Sequence, residues 1–175
     1  NLGWHEVIAE DLGYVTDSVR QLVQDSGFPG MKVLEFAFDS RDSGSANDYL
    51  PHNYQENAVV YTGTHDNETV AGWFDTICTE DRALARNYLC DHYTPDEEIY
   101  KPFIALAMSS VAKYCIVPIQ DYLGLDNSCR INKPSTIGCN WRWRASKEQL
   151  NSVLRHEIHA LTLRYGRMNW KNMVE

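Results

Sequence analysis

The sequence predicts a parallel α/β fold built from four strand-then-helix units, half the complement of an eight-stranded (β/α)8 barrel, and on that reading the C-terminal half of one. Three observations carry this. Short apolar or β-branched runs stand at residues 7–9, 33–38, 58–62 and 114–119. Each is followed by polar residues and then a helical pattern, the order that parallel strands with right-handed crossovers require. The composition is even from end to end, at 43% hydrophobic and 23% charged, without an internal repeat, a Pro- or Ser-rich linker or a charge block. The 175 residues therefore read as one continuous unit, 1–175, with a packed core.

After the first run, Thr16 is placed to cap a helix with apolar positions Val19, Leu22 and Val23, and Gly27 to close it. The second run leads into residues 39–53, a loop of Ser, Asp, Gly and Asn with little periodicity. Helices near 68–76 and 79–92 follow the third run. Another is expected from Thr94, where Thr94-Pro95-Asp96-Glu97 reads as a capping box with Pro at the first helical position. It would bury Phe103, Ile104, Ala107, Met108 and Val111. A last helix is expected to start at Ser146, with Gln149 at its third position, to carry Leu150, Val153, Leu154, Ile158, Leu161 and Tyr165 on one face, and to end at Gly166.

The 24 acidic residues outnumber the 16 basic ones, giving a net charge of −8, which disfavours a broad basic surface for nucleic acid or anionic lipid and suits a neutral substrate. The five cysteines are odd in number and never spaced CxxC, as expected of reduced thiols in a cytoplasmic protein. No stretch approaches the ~18 apolar residues of a membrane span. The start, Asn1-Leu2-Gly3-Trp4, has neither an initiator Met nor a leader pattern, so the chain reads as the back part of a longer protein.

In a parallel barrel, reactive side chains stand just after the strands. There the sequence has Glu10-Asp11-Leu12-Gly13 after the first run and Gly63-Thr64-His65-Asp66-Asn67-Glu68 after the third. Carboxylates delivered to one rim by two strands are what glycosidic chemistry needs: an acid for the leaving oxygen and negative charge for an oxocarbenium-like transition state. Glu10 and Asp11 also fit a simpler role, as acids near a helix N-terminus. His65, Asp66 and Glu68 are plausible metal ligands, although one short segment supplies no complete set. His156-Glu157-Ile158-His159 has its histidines one residue short of zincin spacing and reads as solvated helix surface. Trp4, Phe36, Tyr61, Trp73, Trp141 and Trp143 lie near strand ends or in loops, where they could stack on sugar rings or simply pack the core. The loop from Arg130 to Arg144 is too long and too specialised for a plain connector.

Several blocks carry a resemblance: Ile8-Ala9-Glu10-Asp11-Leu12-Gly13, Phe28-Pro29-Gly30-Met31-Lys32-Val33-Leu34-Glu35-Phe36-Ala37-Phe38, Tyr49-Leu50-Pro51-His52-Asn53-Tyr54, Val60-Tyr61-Thr62-Gly63-Thr64-His65-Asp66-Asn67, Ile116-Val117-Pro118-Ile119-Gln120-Asp121 and Asn140-Trp141-Arg142-Trp143-Arg144. In this order they resemble the back half of the amylomaltase family, the 4-alpha-glucanotransferases or disproportionating enzymes. The resemblance implies a retaining enzyme on a (β/α)8 barrel that moves segments of an α-1,4-glucan from a maltooligosaccharide donor to a sugar acceptor through a covalent glucosyl-enzyme. By the same resemblance Glu10 is the general acid/base, Asp66 the transition-state stabiliser and His65 a donor to the hydroxyls of the same sugar. Asp11 and Asn132 correspond to donor-pocket positions, and Phe36 to an aromatic beside the acceptor subsites. No cofactor is implied. The family's nucleophilic Asp belongs to an earlier strand and has no counterpart here, so the expected partner is the missing N-terminal half of the same enzyme. Where the family usually reads Arg-Met-Asn-x-Pro-Gly-Thr, this chain has Arg130-Ile131-Asn132-Lys133-Pro134-Ser135-Thr136, with a Cβ after Pro134 where Gly is common. The alternative reading is a non-catalytic α-glucan-binding module.

Overall fold

Three parallel strands form the sheet: β1 (Gly30–Val33), β2 (Ala58–Tyr61) and β3 (Tyr114–Ile116), in that order. Gly30 is level with Ala58 and Val33 with Tyr61, while Tyr61 is level with Ile116. The first predicted strand is present as a single parallel bridge, Ala9 to Gly30, closed by the Ala9 amide on the Pro29 carbonyl at 2.9 Å. All four runs are thus parallel and adjacent in chain order. The computed structural model describes residues 5–13, 15–41 and 47–169. Trp4 and the middle of the 39–53 loop, residues 42–46, lie outside these.

The second strand differs from expectation. It comprises Gly30–Val33, and Leu34–Ala37 wind into a 3-10 turn. Leu34, Ala37 and Phe38 are buried at i, i+3 and i+4, which is the spacing of a helical turn and not of a strand. β3 likewise stops at Ile116, and Pro118 leads into the short helix α5 (Ile119–Tyr122), numbered here after the helices that precede it: α1 (Asp17–Ser26), α2 (Val70–Thr76), α3 (Thr79–Leu89) and α4 (Tyr100–Ser109).

α1 begins after Thr16 and ends at Gly27, whose φ of 68° is the left-handed conformation a helix C-terminus favours and glycine adopts without strain. Its apolar face is uncovered: no residue of α1 is buried, and Leu22 is 67% exposed. α2 is capped by the Thr69 hydroxyl, which accepts from the Gly72 amide at 3.2 Å. The expected capping box at Thr94 does not form. Thr94 Oγ1 donates to Asp91 instead, residues Asp96–Glu98 make a 3-10 turn, and α4 starts only at Tyr100. Phe103, Ile104, Ala107 and Met108 are buried as predicted, whereas Val111 is exposed beyond the helix end.

The last helix, α6 (Ser152–Arg164), starts six residues later than predicted. Ser146 and Gln149 do make the reciprocal capping bonds, amide to Oε1 at 2.9 Å and amide to Oγ at 3.3 Å, but these close an isolated turn. Asn151 is the working cap, accepting from Leu154 at 3.0 Å. Only Leu154 of the predicted face is buried, and Leu150 and Val153 are exposed. Past α6, Arg167 donates to the Met108, Ser110 and Ala112 carbonyls at 2.8, 2.9 and 3.1 Å, satisfying acceptors that the end of α4 leaves open.

The core lies between the sheet and helices α2 to α4. Phe38 meets Phe103 edge-on at 5.5 Å between ring centroids and Tyr88 at 5.6 Å, and Trp73 meets Phe103 at 5.4 Å. Trp73 is therefore a core residue and not a platform for sugar. All five cysteines are free. Among the described residues no helix is long and apolar enough to cross a membrane.

Candidate active site

The polar groups gather beyond the C-terminal ends of β1, β2 and β3. Residues 62–67 follow β2 directly. Within them Asn67 Oδ1 accepts from both the amide and the hydroxyl of Thr64, at 3.0 and 2.6 Å, which folds the segment into a tight turn. The turn presents His65 and Asp66 to solvent, each about half exposed. His65 Nε2 lies 3.3 Å from Asp66 Oδ1, and the His65 ring rests 5.3 Å from that of Trp141.

The 130–144 loop reaches back to the same turn. Asn132 Nδ2 donates to Asp66 Oδ1 at 2.6 Å. Arg130 donates through Nη2 to the Asp66 carbonyl and through Nε to the Asn132 carbonyl at 2.8 Å. The loop is held to itself by Asn140, which accepts from the Lys133 amide at 3.0 Å and donates to Thr136 at 3.1 Å, and by the Trp141 amide on Ile131. Its cost is backbone strain: Ser135 and Trp141 stand at φ 61° and 65°. Trp141 is 57% exposed beside His65, and Trp143 is half-buried.

The other predicted residues occupy the β1 side. Glu10 follows the bridging residue Ala9 and is exposed; no side chain among the described residues hydrogen-bonds it. Asp11 is half-buried, with Oδ1 accepting from the Met31 amide at 2.7 Å. It lies so close to Gly30 that a Cβ there would stand 2.5 Å from Asp11 Oδ2. Phe36, at the 3-10 turn after β1, is 39% exposed and meets Tyr49 edge-on at 5.3 Å. The structure thus joins His65, Asp66 and Asn132 in one bonded cluster. Asp11, Glu10 and Phe36 lie along the neighbouring strand ends, without a hydrogen bond or ion pair to that cluster.

Beneath the turn is a set of buried acids that the sequence reading left without a role. Asp121, at the start of α5, accepts from Thr62 Oγ1 at 2.5 Å and from the Val70 amide at 2.9 Å, tying the end of β2 to α2. Burial raises its carboxyl to about 6, partly offset by those two donors. Glu35 is buried, and its carboxyl is held well above the usual range, first by burial and then by the charges of Asp121 and Glu68. Glu68 accepts from the Asn127 amide at 2.6 Å and from the Thr76 hydroxyl at 3.3 Å. The metal reading of His65, Asp66 and Glu68 accordingly finds no convergence: among the described residues no three His, Cys, Asp or Glu side chains group as ligands. The signal for Asp121 was its place after β3, and for Glu35 an acid inside an apolar block.

Polar side chains gathered at the C-terminal edge of a parallel sheet define an α/β protein of the class that keeps its chemistry on strand-end loops. The comparisons identify the family. The family model for 4-alpha-glucanotransferase matches residues 2–150, and the chain belongs to that family. It is 46% identical over 167 residues to the 4-alpha-glucanotransferase of Clostridium butyricum, covering 95% of this chain and 33% of that protein. It is 49% identical to that of Synechocystis over 163 residues, covering 92% and 31%. Among solved structures, amylomaltase from Streptococcus agalactiae in complex with acarbose superimposes with a TM-score of 0.87 at 38% identity, over 96% of this chain and 33% of that one. The chain spans about a third of the length of the curated relatives it matches.

Proposed function

We propose that this chain forms the C-terminal half of a (β/α)8 4-alpha-glucanotransferase, which transfers α-1,4-glucan segments from a maltooligosaccharide donor to a sugar acceptor with retention. The observation that carries the reading is the cluster at Asp66. The loop after β3 reaches the turn after β2, where Asn132 bonds the half-exposed Asp66 carboxylate and Arg130 bonds the Asp66 backbone carbonyl. A carboxylate fixed in this way while still open to solvent is suited to balance positive charge on a sugar ring. In this reading Glu10 protonates the glycosidic oxygen as the bond to the anomeric carbon breaks. An aspartate from the N-terminal half takes that carbon as a covalent ester, and Glu10, now ionised, removes the acceptor hydroxyl's proton as its oxygen attacks the anomeric carbon and the ester bond breaks, releasing the aspartate carboxylate. That no side chain among the described residues hydrogen-bonds Glu10 suits a group that has to exchange its proton twice in each cycle.

His65 and Asn132 would hold hydroxyls of the donor sugar, Asp11 would line the same pocket, and Phe36 would stack beside the acceptor. Trp141 and the 39–53 loop would keep water from the ester. That the Streptococcus agalactiae relative was solved in complex with acarbose supports a sugar ligand for this chain. The uncovered apolar side chains at the two sheet edges, Val7, Ile8 and Leu22 on one side and Tyr114 and Ile116 on the other, support a further set of barrel units packing there.

The test is Glu10→Gln in the full-length protein. Disproportionation of maltotriose should be abolished while the sugar still binds. Turnover retained within about tenfold, little more than 1.4 kcal/mol of barrier, would reduce Glu10 to a helix-start acid. Sugar binding without any turnover in the unmutated protein would favour a glucan-binding module instead.

A further inference from the structure

We propose that Glu35 is a positioning residue for Asp66: its buried carboxyl forms the floor on which the 62–67 turn is seated. This rests on the functional reading above only where turnover is measured. Glu35 enters from the 3-10 turn after β1, and its amide donates to the Thr62 carbonyl at 3.3 Å. Its carboxyl fills the space beside Gly63, where any Cβ would collide with Oε1 and crowd Asn67. Asn67 in turn fixes Thr64, and the Asp66 amide donates to Thr64 Oγ1 at 3.3 Å. A chain of packed contacts therefore runs from Glu35 through Gly63 and Asn67 to Asp66, with Arg130 bonded to the Asp66 carbonyl.

The charges around Glu35 say in which form it serves. Asp121 on α5, Glu68 beyond the turn and Arg130 before the long loop all face it, so three acids share one guanidinium. Asp121 has two donors, Thr62 and Val70, and Glu68 has two, Asn127 and Thr76. Glu35 Oε1 is buried with no hydrogen-bond partner. Burial and the charges of Asp121 and Glu68 favour the acid form of Glu35, against the opposing pull of Arg130 and Asn67. Ionisation as pH rises would place added negative charge under the turn and loosen its seat.

Three forms of the full-length protein test this: wild type, Glu35→Ala and Glu35→Gln. Glu35→Ala empties the floor and should lower kcat for maltotriose disproportionation by about tenfold to a hundredfold, the range a misplacement of about 1 Å costs, with KM changed far less. Glu35→Gln keeps the volume and cannot ionise. It should recover most of the kcat and carry the alkaline limb of the pH profile to higher pH. Crystal structures of wild type and Glu35→Ala should show the 62–67 turn displaced in the variant and the Asn132–Asp66 bond broken. Unchanged kcat in Glu35→Ala, equal loss in both variants, or an unmoved alkaline limb in Glu35→Gln would overturn the proposal. A superimposable turn in the Glu35→Ala crystal would do the same. If Glu35→Ala fails to fold, the pH profile of Glu35→Gln decides. If the wild-type protein transfers no glucan, the functional reading fails, and the crystallographic comparison still decides the role of Glu35.

Discussion

Asn132 donates its side-chain amide to Asp66 Oδ1 at 2.6 Å, joining the loop after β3 to the turn after β2 across 66 residues of sequence. Both partners are partly open to water, so the bond contributes little to folding, about 1 kcal/mol or less. On the proposed function its value is orientation, because it restrains the carboxylate that would face the sugar. Asn132→Ala in the full-length protein should therefore leave the melting temperature nearly unmoved and lower kcat for glucan transfer by at least about tenfold. A loss of stability matching the loss of activity would show instead that the bond serves the fold.

Asp121 sets a pH dependence of a definite sign. Its folded-state carboxyl is raised from 3.8 to about 6, mainly by burial, so the native state holds this proton more tightly than the unfolded chain does. Its contribution to stability is fully present below about pH 4 and is lost as pH rises through about 6. Such a shift corresponds to roughly 3 kcal/mol. Asp121→Asn cannot titrate, and it can still accept from the Val70 amide and meet the Thr62 hydroxyl. The stability of wild type minus that of Asp121→Asn, from urea unfolding at a series of pH values, should fall across this window. A flat or rising difference would show that Asp121 is not the buried acid responsible.

The order and direction of the strands were legible in the sequence because a parallel sheet demands apolar runs separated by helices, and residues 7–9, 58–62 and 114–119 are such runs. Thr16 and Gly27 marked α1 for the same local reason. The second run misled because its nearly unbroken apolar stretch reads as a strand, although the i, i+3, i+4 spacing of Leu34, Ala37 and Phe38 is that of the turn found there. Ser146 and Gln149 form the bonds of a capping box without a helix behind them, since two side chains cannot dictate what the following residues do. Asp66, His65 and Asn132 could be named from the sequence, but their convergence could not, because it depends on how two loops fold back. Glu35 was hidden for a different reason. Its place beside Gly63 follows from the 3-10 turn that the sequence did not reveal.

The strained loop offers a stabilising change. Ser135 stands at φ 61° after Pro134, a conformation that costs a residue bearing a Cβ roughly 1–2 kcal/mol and glycine almost nothing. The extra freedom glycine brings to the unfolded chain offsets about 0.5–1 kcal/mol of that. Ser135→Gly should thus raise stability by at most about 1 kcal/mol and leave glucan transfer intact, as read from a thermal melt and a maltotriose assay. A fall in the melting temperature would mean that the Ser135 side chain supports the loop in a way its backbone angle conceals.

Gly30 has the opposite sensitivity. It is the residue where the first strand meets β1, paired with Ala9 on one side and Ala58 on the other, and its missing side chain is the space in which Asp11 lies. A methyl group there would stand 2.5 Å from Asp11 Oδ2, closer than packed atoms approach. The short Asp11 side chain has little room to retreat while Oδ1 holds the Met31 amide at 2.7 Å. Either that bond breaks or the Ala9 edge moves away from β1, and Glu10 follows Ala9 directly. Gly30→Ala should cost about 1–3 kcal/mol, as overpacking of a tight site does. On the roles proposed for Asp11 and Glu10, it should also weaken donor binding and slow the chemical step in the full-length protein. The double variant Gly30→Ala with Asp11→Ala separates the causes, because removing the Asp11 carboxylate removes the clash. Recovery of stability in the double variant, measured by thermal melt, is the expected result. Equal instability in single and double variants would place the strain elsewhere along β1.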